Sequence, residues 1–292
     1  MPSSHTTDES RRFAGQVAVI TGGGSGLGLA IGRLLGGRGA TVVLAARNTA
    51  RLEAAAQGLR AAGIAAEAVA CDVTDRAQVL ALRDTALSHT GRLDIWINNA
   101  GRAGAFGPVL ATPEDDFLAT TDTVIRGTYY GSLLALDAMQ RAGRGDLVNL
   151  LGRGDDGPVQ NQAAYGSAKT WVRAFTGALA SELKQSAVRV HAFNPGLVRT
   201  DMLGRIDAVR GYGSGLDRFG AVIGVLGLDP DEAARPVLDL IGSDRREYRG
   251  TAPLRLLAQA GRNQLAKWRG HGSGPMDIEV TDLEPRARSL LR

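Results

Sequence analysis

The 292-residue chain has 34 Lys and Arg residues against 30 Asp and Glu residues, a net charge of +4, and 44% hydrophobic residues. This composition suits one large domain with a substantial core. The basic residues form no long run, which argues against a nucleic-acid partner. We expect a cytoplasmic protein without a membrane segment, because the sequence lacks a long apolar stretch and a signal peptide, and its single cysteine, Cys71, fits a reducing compartment.

Strand and helix patterns alternate along the chain. After a leader that we expect to be disordered (1–14), short apolar runs predict strands near 16–21, 41–46, 65–70, 93–97, 146–151 and 188–193. Helical patterns lie between them, near 26–38, 49–62, 75–88, 113–141 and 163–185. This alternation predicts an α/β fold, a Rossmann-type doubly wound parallel sheet with helices on both faces.

The last third of the chain departs from this alternation. Residues 201–228 are rich in glycine, and their position suggests a substrate lid; a helix is predicted near 230–241. We expect a single domain over 15–253. A C-terminal extension over 254–292 is predicted to contain an Arg-rich helix and a loose tail.

A glycine-rich loop, TGGGSGLG, runs from Thr21 to Gly28 between the first strand and the first helix. Glycines let a backbone approach a pyrophosphate, and a helix N-terminus offers free N–H groups and a positive dipole. The spacing departs from the strict G-x-G-x-x-G pattern, and no lysine follows as in a P-loop. The loop therefore predicts a dinucleotide site formed by Gly22, Ser25, Gly26, Leu27 and Gly28.

The end of the second strand indicates which dinucleotide is bound. An acidic residue there would accept the ribose 2′-OH of NAD(H), but the strand ends at Arg47. A guanidinium suits a 2′-phosphate. The sequence favours NADP(H) and leaves NAD(H) open.

Further motifs follow in order over about 15–202. These are Asp72-Val73, the N-N-A-G sequence at 98–101, the Y-x-x-x-K pair Tyr165 and Lys169, and the P-G-x-V-x-T segment at 195–200. With the T-G-x-x-x-G-x-G loop, this set resembles the short-chain dehydrogenase/reductase family. The resemblance implies further cofactor contacts from Asp72, Val73, Asn99, Ala100, Gly101, Tyr165, Lys169, Pro195, Gly196, Val198 and Thr200.

The residue types and spacing of Tyr165 and Lys169 indicate acid–base chemistry. Four residues apart on a helix, the two side chains share a face. A nearby ammonium group and an oxidised nicotinamide both favour the phenolate, so we expect the pKa of Tyr165 to be lowered when they are present. The tyrosine can then exchange a proton with a carbonyl or alcohol oxygen. The resemblance implies that Lys169 also binds the nicotinamide ribose.

Two positions depart from the family pattern. Gly152 stands where the family usually has an active-site serine, and Val124 where it usually has an asparagine. Reduction could continue with other donors, and the candidates for substrate contact are Gly152, Arg153, Asp155, Gln160 and Met202. Alternatively, the protein carries out a non-standard reduction or non-redox chemistry, or is a cofactor-bound scaffold or regulator.

The sequence therefore predicts an NADP-dependent oxidoreductase that interconverts a ketone and a secondary alcohol on a small, apolar or polyketide-like molecule. We expect no metal, because the four histidines are scattered. The glycine pair of the family's tetramer strand is missing after Tyr248, so the expected assembly is a homodimer.

Overall fold

The computed structural model describes residues 9–216, 219–251, 261 and 276–286. The described strands are β1 (Val17–Thr21), β2 (Thr41–Ala46), β3 (Ala66–Ala70), β4 (Ile95–Asn98), β5 (Gly145–Leu150), β6 (Val188–Asn194), β7 (Arg205–Val209), β8 (Glu247–Arg249) and β9 (Glu279–Leu283). Seven of them form one parallel sheet in the order β3-β2-β1-β4-β5-β6-β8. This order reverses direction between β1 and β4, the place where parallel sheets open a ligand crevice.

Helices cover both faces of the sheet. The described α-helices are α1 (Gly26–Gly36), α2 (Thr49–Ala61), α3 (Arg76–Thr90), α4 (Glu114–Thr121), α5 (Gly127–Ala142), α6 (Ala163–Glu182), α7 (Asp201–Gly204), α8 (Phe219–Leu226), α9 (Pro230–Ala234) and α10 (Val237–Leu240). Ala18 and Ile20 of β1 pack with α1 and α2, whereas Val17 and Val19 pack with α3 and α5. This alternation follows from the two-residue period of a strand, and it confirms the predicted doubly wound fold.

The helical segment predicted over 113–141 has the expected extent but is not regular. Between α4 and α5, residues Asp122–Arg126 form a single π-helical turn. Val124 lies in this turn and is fully buried. Such turns shift the direction of the side chains that follow, and they are frequent at functional sites.

The predicted leader over 1–14 is wrong in its second half. Glu9–Arg11 form a short 3-10 helix, and Phe13 is buried in the main core. The Arg12 guanidinium donates to the carbonyl oxygens of Leu238 and Ile241, at 3.0 Å each. Burial of an aromatic ring and two hydrogen bonds order this segment. Residues 1–8 lie outside the described residues.

The predicted lid contains short elements rather than an open loop. It consists of α7, β7, a 3-10 turn at Gly213–Leu216 and α8, with 217–218 outside the described residues. Strand β7 pairs in parallel with β9, which belongs to the C-terminal extension. The prediction of a helix and loose tail for 254–292 is therefore wrong at 279–283, where backbone pairing with the lid forms a strand. Most of that range lies outside the described residues.

Within the described part of the chain, no helix is long and apolar enough to cross a membrane. The same residues contain no group of three or more His, Cys, Asp or Glu side chains arranged to hold a metal ion.

Candidate active site

A cleft of about 730 Å³ opens at the carboxyl edge of the sheet. Its floor is formed by the segments that follow the six strands β1 to β6, and the lid forms its outer wall. The volume falls in the range that small-molecule and cofactor sites occupy. Nearly all the residues proposed from the sequence as site residues line this cleft; Asp155 and Gln160 do not.

The glycine loop packs too tightly to accept side chains at two of its positions. A Cβ on Gly28 would lie 2.3 Å from the Gly22 carbonyl oxygen and 2.5 Å from Nδ2 of Asn99. Gly22 itself has a φ of +66°, a conformation that favours glycine. The side chain of Ser25 makes no capping hydrogen bond to α1. The amino end of α1 thus presents backbone N–H groups to the cleft, a cradle that fits a diphosphate.

Thr21 and Asn99 tie the loop to the neighbouring strand. The Asn99 side-chain amide donates to the carbonyl oxygens of Thr21 at 2.9 Å and Gly22 at 3.2 Å. The Thr21 hydroxyl oxygen accepts from the backbone N–H groups of Asn99 and Ala100, both at 3.1 Å. These bonds hold the ends of β1 and β4 together at the crevice. Asn99 therefore supports the cradle through hydrogen bonds that the sequence alone did not reveal.

Two basic side chains line the cleft just after the end of β2. Arg47 is exposed and its guanidinium lies 4.0 Å from the Asp72 carboxylate. Arg51, which the sequence analysis missed, forms an ion pair with Asp201 of the lid. Arg51 reaches the cleft because Asn48 caps α2, accepting a hydrogen bond from the Arg51 N–H at 2.9 Å. The asparagine after Arg47 is the signal that could have placed this helix start and its first turn at the site.

Tyr165 and Lys169 lie on the first turns of α6, facing the end of β5. The Lys169 ammonium donates to the Leu150 carbonyl oxygen at 2.8 Å and lies 5.6 Å from the centre of the Tyr165 ring. Lys169 is buried, with 5% of its surface exposed, and Tyr165 is partly buried. Both side chains line the cleft. Their spacing along one helix brings a phenol and an amine together at the end of the sheet where ligands bind.

Burial shifts the pKa values of both groups, in opposite directions. Burial raises the pKa of Tyr165 to about 12, with the Asp155 charge adding to the effect. Burial lowers the pKa of Lys169 to about 8, against the Asp155 charge, which acts in the opposite direction. Burial and the Asp155 charge thus act against the expected lowering of the tyrosine pKa, which rests on the ammonium and an oxidised nicotinamide together.

Gly152, the position where the sequence predicts a departure from the family's serine, is closely packed. A Cβ on Gly152 would lie 2.5 Å from the Tyr165 hydroxyl oxygen and 3.5 Å from Cε of Lys169. The Tyr165 hydroxyl therefore occupies the space that a side chain at 152 would need. Val124 packs with Leu151 and the Tyr165 ring in an apolar cluster. At these two positions the structure therefore has a glycine that contacts a phenol hydroxyl and a valine in an apolar cluster.

The candidate substrate contacts divide into two groups. Gly152, Arg153 and Met202 line the cleft, and Gln160 is exposed outside it. Asp155 does not line the cleft; it is 2% exposed and binds neighbouring side chains in the interior. Its carboxylate accepts from Asn194 and Arg173, both at 3.3 Å, and from Arg249 at 3.2 Å.

Residues of the lid and of the loop after β4 supply much of the remaining lining, and sequence reasoning did not identify most of them. This part of the cleft is apolar, and it is formed by Ala103, Phe106, Leu203, Ile206, Leu216, Phe219 and Val222. Gln162 at the start of α6 adds a polar side chain. Contacts of this kind depend on how the lid folds over the sheet, for which the sequence offers no short motif.

Comparison with known proteins agrees with this architecture. The family model described as short chain dehydrogenase matches residues 16–210. A protein of Streptomyces virginiae, assigned as a ketoacyl reductase of the monensin polyketide synthase, is 36% identical over 205 residues, which span 69% of this chain and 77% of that protein.

Two solved structures are also similar. A metagenomic short-chain oxidoreductase in complex with NADP has a TM-score of 0.67 at 30% identity, covering 81% of this chain and 96% of that one. An actinorhodin polyketide ketoreductase variant with NADPH has a TM-score of 0.69 at 27% identity, covering 92% of this chain and 95% of that one. A family match over most of the chain, on the same parallel sheet, establishes that this protein belongs to the short-chain dehydrogenase family of oxidoreductases.

Proposed function

We propose that the protein is an NADP(H)-dependent reductase that interconverts a ketone and a secondary alcohol on a small, mainly apolar molecule. The observation that carries the proposal is the position of the Tyr165 phenol and the Lys169 ammonium, which line the same cleft as the glycine cradle. The reductase and oxidoreductase names of its relatives support this class of reaction.

The cofactor is assigned from the residues that face the adenosine end of the cleft. Arg47 and Arg51 both line it, and no acidic residue follows β2 directly. Two guanidinium groups favour a ligand with an extra phosphate over one with free ribose hydroxyls. The similar structures that contain NADP or NADPH support NADP(H) as the preferred cofactor, with NAD(H) as a weaker ligand.

Tyr165 acts as the acid in the direction of reduction. A bound reduced nicotinamide supplies the hydride that reaches the carbonyl carbon. The Tyr165 hydroxyl donates its proton to the carbonyl oxygen, which becomes the alcohol. With a pKa of about 12, Tyr165 is protonated at neutral pH and ready to donate. The Lys169 ammonium, fixed by the Leu150 carbonyl, stabilises the phenolate that remains.

The changes at Gly152 and Val124 leave Tyr165 as the principal donor to the substrate oxygen. A serine hydroxyl at 152 would have supplied a second donor, whose loss can cost about 100-fold or more in rate. This cost keeps open the alternatives of a non-standard reduction, non-redox chemistry, or a scaffold that binds the cofactor without turnover.

A turnover assay tests the proposal directly. Purified full-length protein is mixed with NADPH and a panel of alicyclic and aromatic ketones, and NADPH consumption is followed. We expect Tyr165→Phe to lower kcat by about 100-fold or more while leaving the Kd for NADPH nearly unchanged. The matched control is Tyr129→Phe, because Tyr129 is exposed and lies outside the cleft.

Two outcomes contradict the proposal. Binding of NADPH without consumption on any ketone would favour the scaffold, and equal turnover by the wild type and Tyr165→Phe would exclude the tyrosine as the acid.

We also propose a homodimer through α5 and α6. Tyr129 and Leu133 on α5 are more than 40% exposed, and Trp171 stacks on Phe175 of α6 at 4.6 Å between ring centres. Tyr129 lies 6.1 Å from the Phe175 ring, so the four side chains form one apolar surface. Light scattering should give a dimer mass for the wild type and a monomer mass for Leu133→Glu. A monomeric wild type would exclude this assembly.

A further inference from the structure

We infer that the substrate carries an anionic group, and that Arg153 binds it beside the reacting carbonyl. This inference rests on the proposed function, because it specifies the substrate class of the same cleft. Arg153 lines the cleft and directly follows Gly152, whose Cβ position lies 2.5 Å from the Tyr165 hydroxyl oxygen. Arg153 is exposed rather than packed into the core.

The other arginines near this position are already paired. Arg173 and Arg249 share the Asp155 carboxylate, at 3.3 and 3.2 Å. Arg249 also contacts Asp156 at 2.6 Å. Asp155 and Asp156, the carboxylates nearest to Arg153 in sequence, are thus engaged by other cations. Among the described residues, Arg153 has no carboxylate within 4.0 Å.

The acidic side chains that line the cleft both lie near Arg47 and Arg51, and among the described residues none lines the end near Tyr165. These two side chains, Asp72 and Asp201, pair with Arg47 and Arg51 at the adenosine end. At the other end, the charge of Asp155 acts on Lys169 although Asp155 is already paired with Arg173 and Arg249, whereas Arg153 has no carboxylate partner among the described residues. Apolar walls around an uncompensated positive charge concentrate its field. The arrangement attracts an anion and disfavours a cationic substrate.

Distance determines the kind of anion. Neighbouring Cα atoms are about 3.8 Å apart, and an extended arginine side chain spans about twice that length. The anion therefore lies within about 10 Å of the carbonyl that Tyr165 protonates. A carboxylate on a compact keto acid fits this distance, and a guanidinium binds carboxylates through paired hydrogen bonds. A phosphate separated from the ketone by a long flexible linker would lie beyond the reach of Arg153.

Gln162 completes the polar end of the cleft. Gln162 is the N-cap residue of α6, but its side chain makes no capping hydrogen bond to the helix. The amide is therefore available to donate to the same anion. The remaining wall is apolar, formed in part by Phe106, Leu216 and Phe219. The cleft thus fits an apolar body with one carboxylate.

The test compares acid and ester forms of one ketone. 4-Acetylbenzoate, its methyl ester and 4-acetylphenyl phosphate are reduced by the wild type, Arg153→Gln and Arg153→Glu. We expect the wild type to prefer the carboxylate over the ester in kcat/KM by about 10- to 100-fold, the factor that a hydrogen bond to a charged group contributes. Arg153→Gln should abolish this preference through KM, with little change for the ester. Arg153→Glu should favour the ester.

The matched control is Arg141→Gln, because Arg141 is 79% exposed on α5, far from the cleft lining. It should keep the wild-type preference. High salt should raise the KM of the acid and leave that of the ester unchanged. A preference for the phosphate over the carboxylate, or an acid-to-ester ratio that Arg153→Gln does not alter, would overturn the inference.

A binding measurement separates this inference from the proposed function. If no ketone is reduced, the proposed function fails, but the thermal shift produced by 4-acetylbenzoate still reports on Arg153. A shift in the wild type that Arg153→Gln loses supports the anion site. An equal shift in both proteins, or no shift in either, contradicts it.

Discussion

Placing a serine at position 152 should lower activity. The Cβ of Gly152→Ser would lie 2.5 Å from the Tyr165 hydroxyl oxygen, whereas ordinary contacts begin near 3.4 Å. The hydroxyl must therefore retreat by roughly 1 Å. The Tyr165 ring cannot follow easily, because it packs against the cluster that contains Val124, Leu151 and Ala168. A displacement of about 1 Å in a reacting group can cost about 100-fold in rate.

We therefore expect kcat of Gly152→Ser to fall about 100-fold, even though the change adds a hydroxyl donor. The assay follows NADPH consumption, with the Kd for NADPH and the melting temperature measured on the same samples. Gly157→Ala is the matched control, because it adds a methyl group to the same loop with no atom within 4 Å. It should leave kcat unchanged. A Gly152→Ser variant that equals or exceeds the wild-type kcat would refute the steric reasoning.

Three further predictions concern the cofactor site and the opposite edge of the sheet. Arg47→Gln should raise the Kd for NADPH about 10-fold and leave the Kd for NADH unchanged, because only NADPH has a 2′-phosphate. If a fluorescence titration shows equal losses of affinity for NADPH and NADH, Arg47 does not recognise the 2′-phosphate. Gly28→Ala should weaken binding of both cofactors and lower the free energy of unfolding by about 1–3 kcal/mol, because the added Cβ would lie 2.3 Å from the Gly22 carbonyl oxygen. A free energy of unfolding equal to that of the wild type in denaturant titrations would contradict this prediction. Asp146→Asn should cost about 2 kcal/mol in urea unfolding at neutral pH, since the buried carboxylate loses its charge opposite Arg189. Burial alone would raise the pKa of Asp146, but hydrogen bonds from His191, Arg189 and a backbone N–H hold this pKa below its usual value. The stabilisation by the charged carboxylate is therefore present above the pKa of the unfolded state, and it is lost as the pH falls through the pKa of the folded state. An acid stability profile that is identical in the Asn variant would contradict it.

The order and type of the central elements could be predicted because each one carries a local signal. Apolar runs predicted all six strands from β1 to β6, and the glycine loop located the start of α1 within a residue. The predicted boundaries at the chain ends were less accurate. Arg12 and Phe13 are ordered by hydrogen bonds from Arg12 to Leu238 and Ile241 and by burial of Phe13 in the main core, and β9 is ordered by pairing with β7. Neither segment has a pattern in its own neighbourhood that predicts this.

The motifs by themselves determined the family, the parallel sheet and the position of the cleft, because each is a short segment whose chemistry depends on near neighbours in the chain. The tertiary structure decided what the departures from those motifs mean. Only the folded chain shows the Tyr165 hydroxyl filling the space above Gly152, Asp155 turned into an ion-pair network, and Arg153 left without a carboxylate among the described residues. These properties depend on distances between residues far apart in sequence, and on the burial that raises the pKa of Tyr165. No local pattern encodes them.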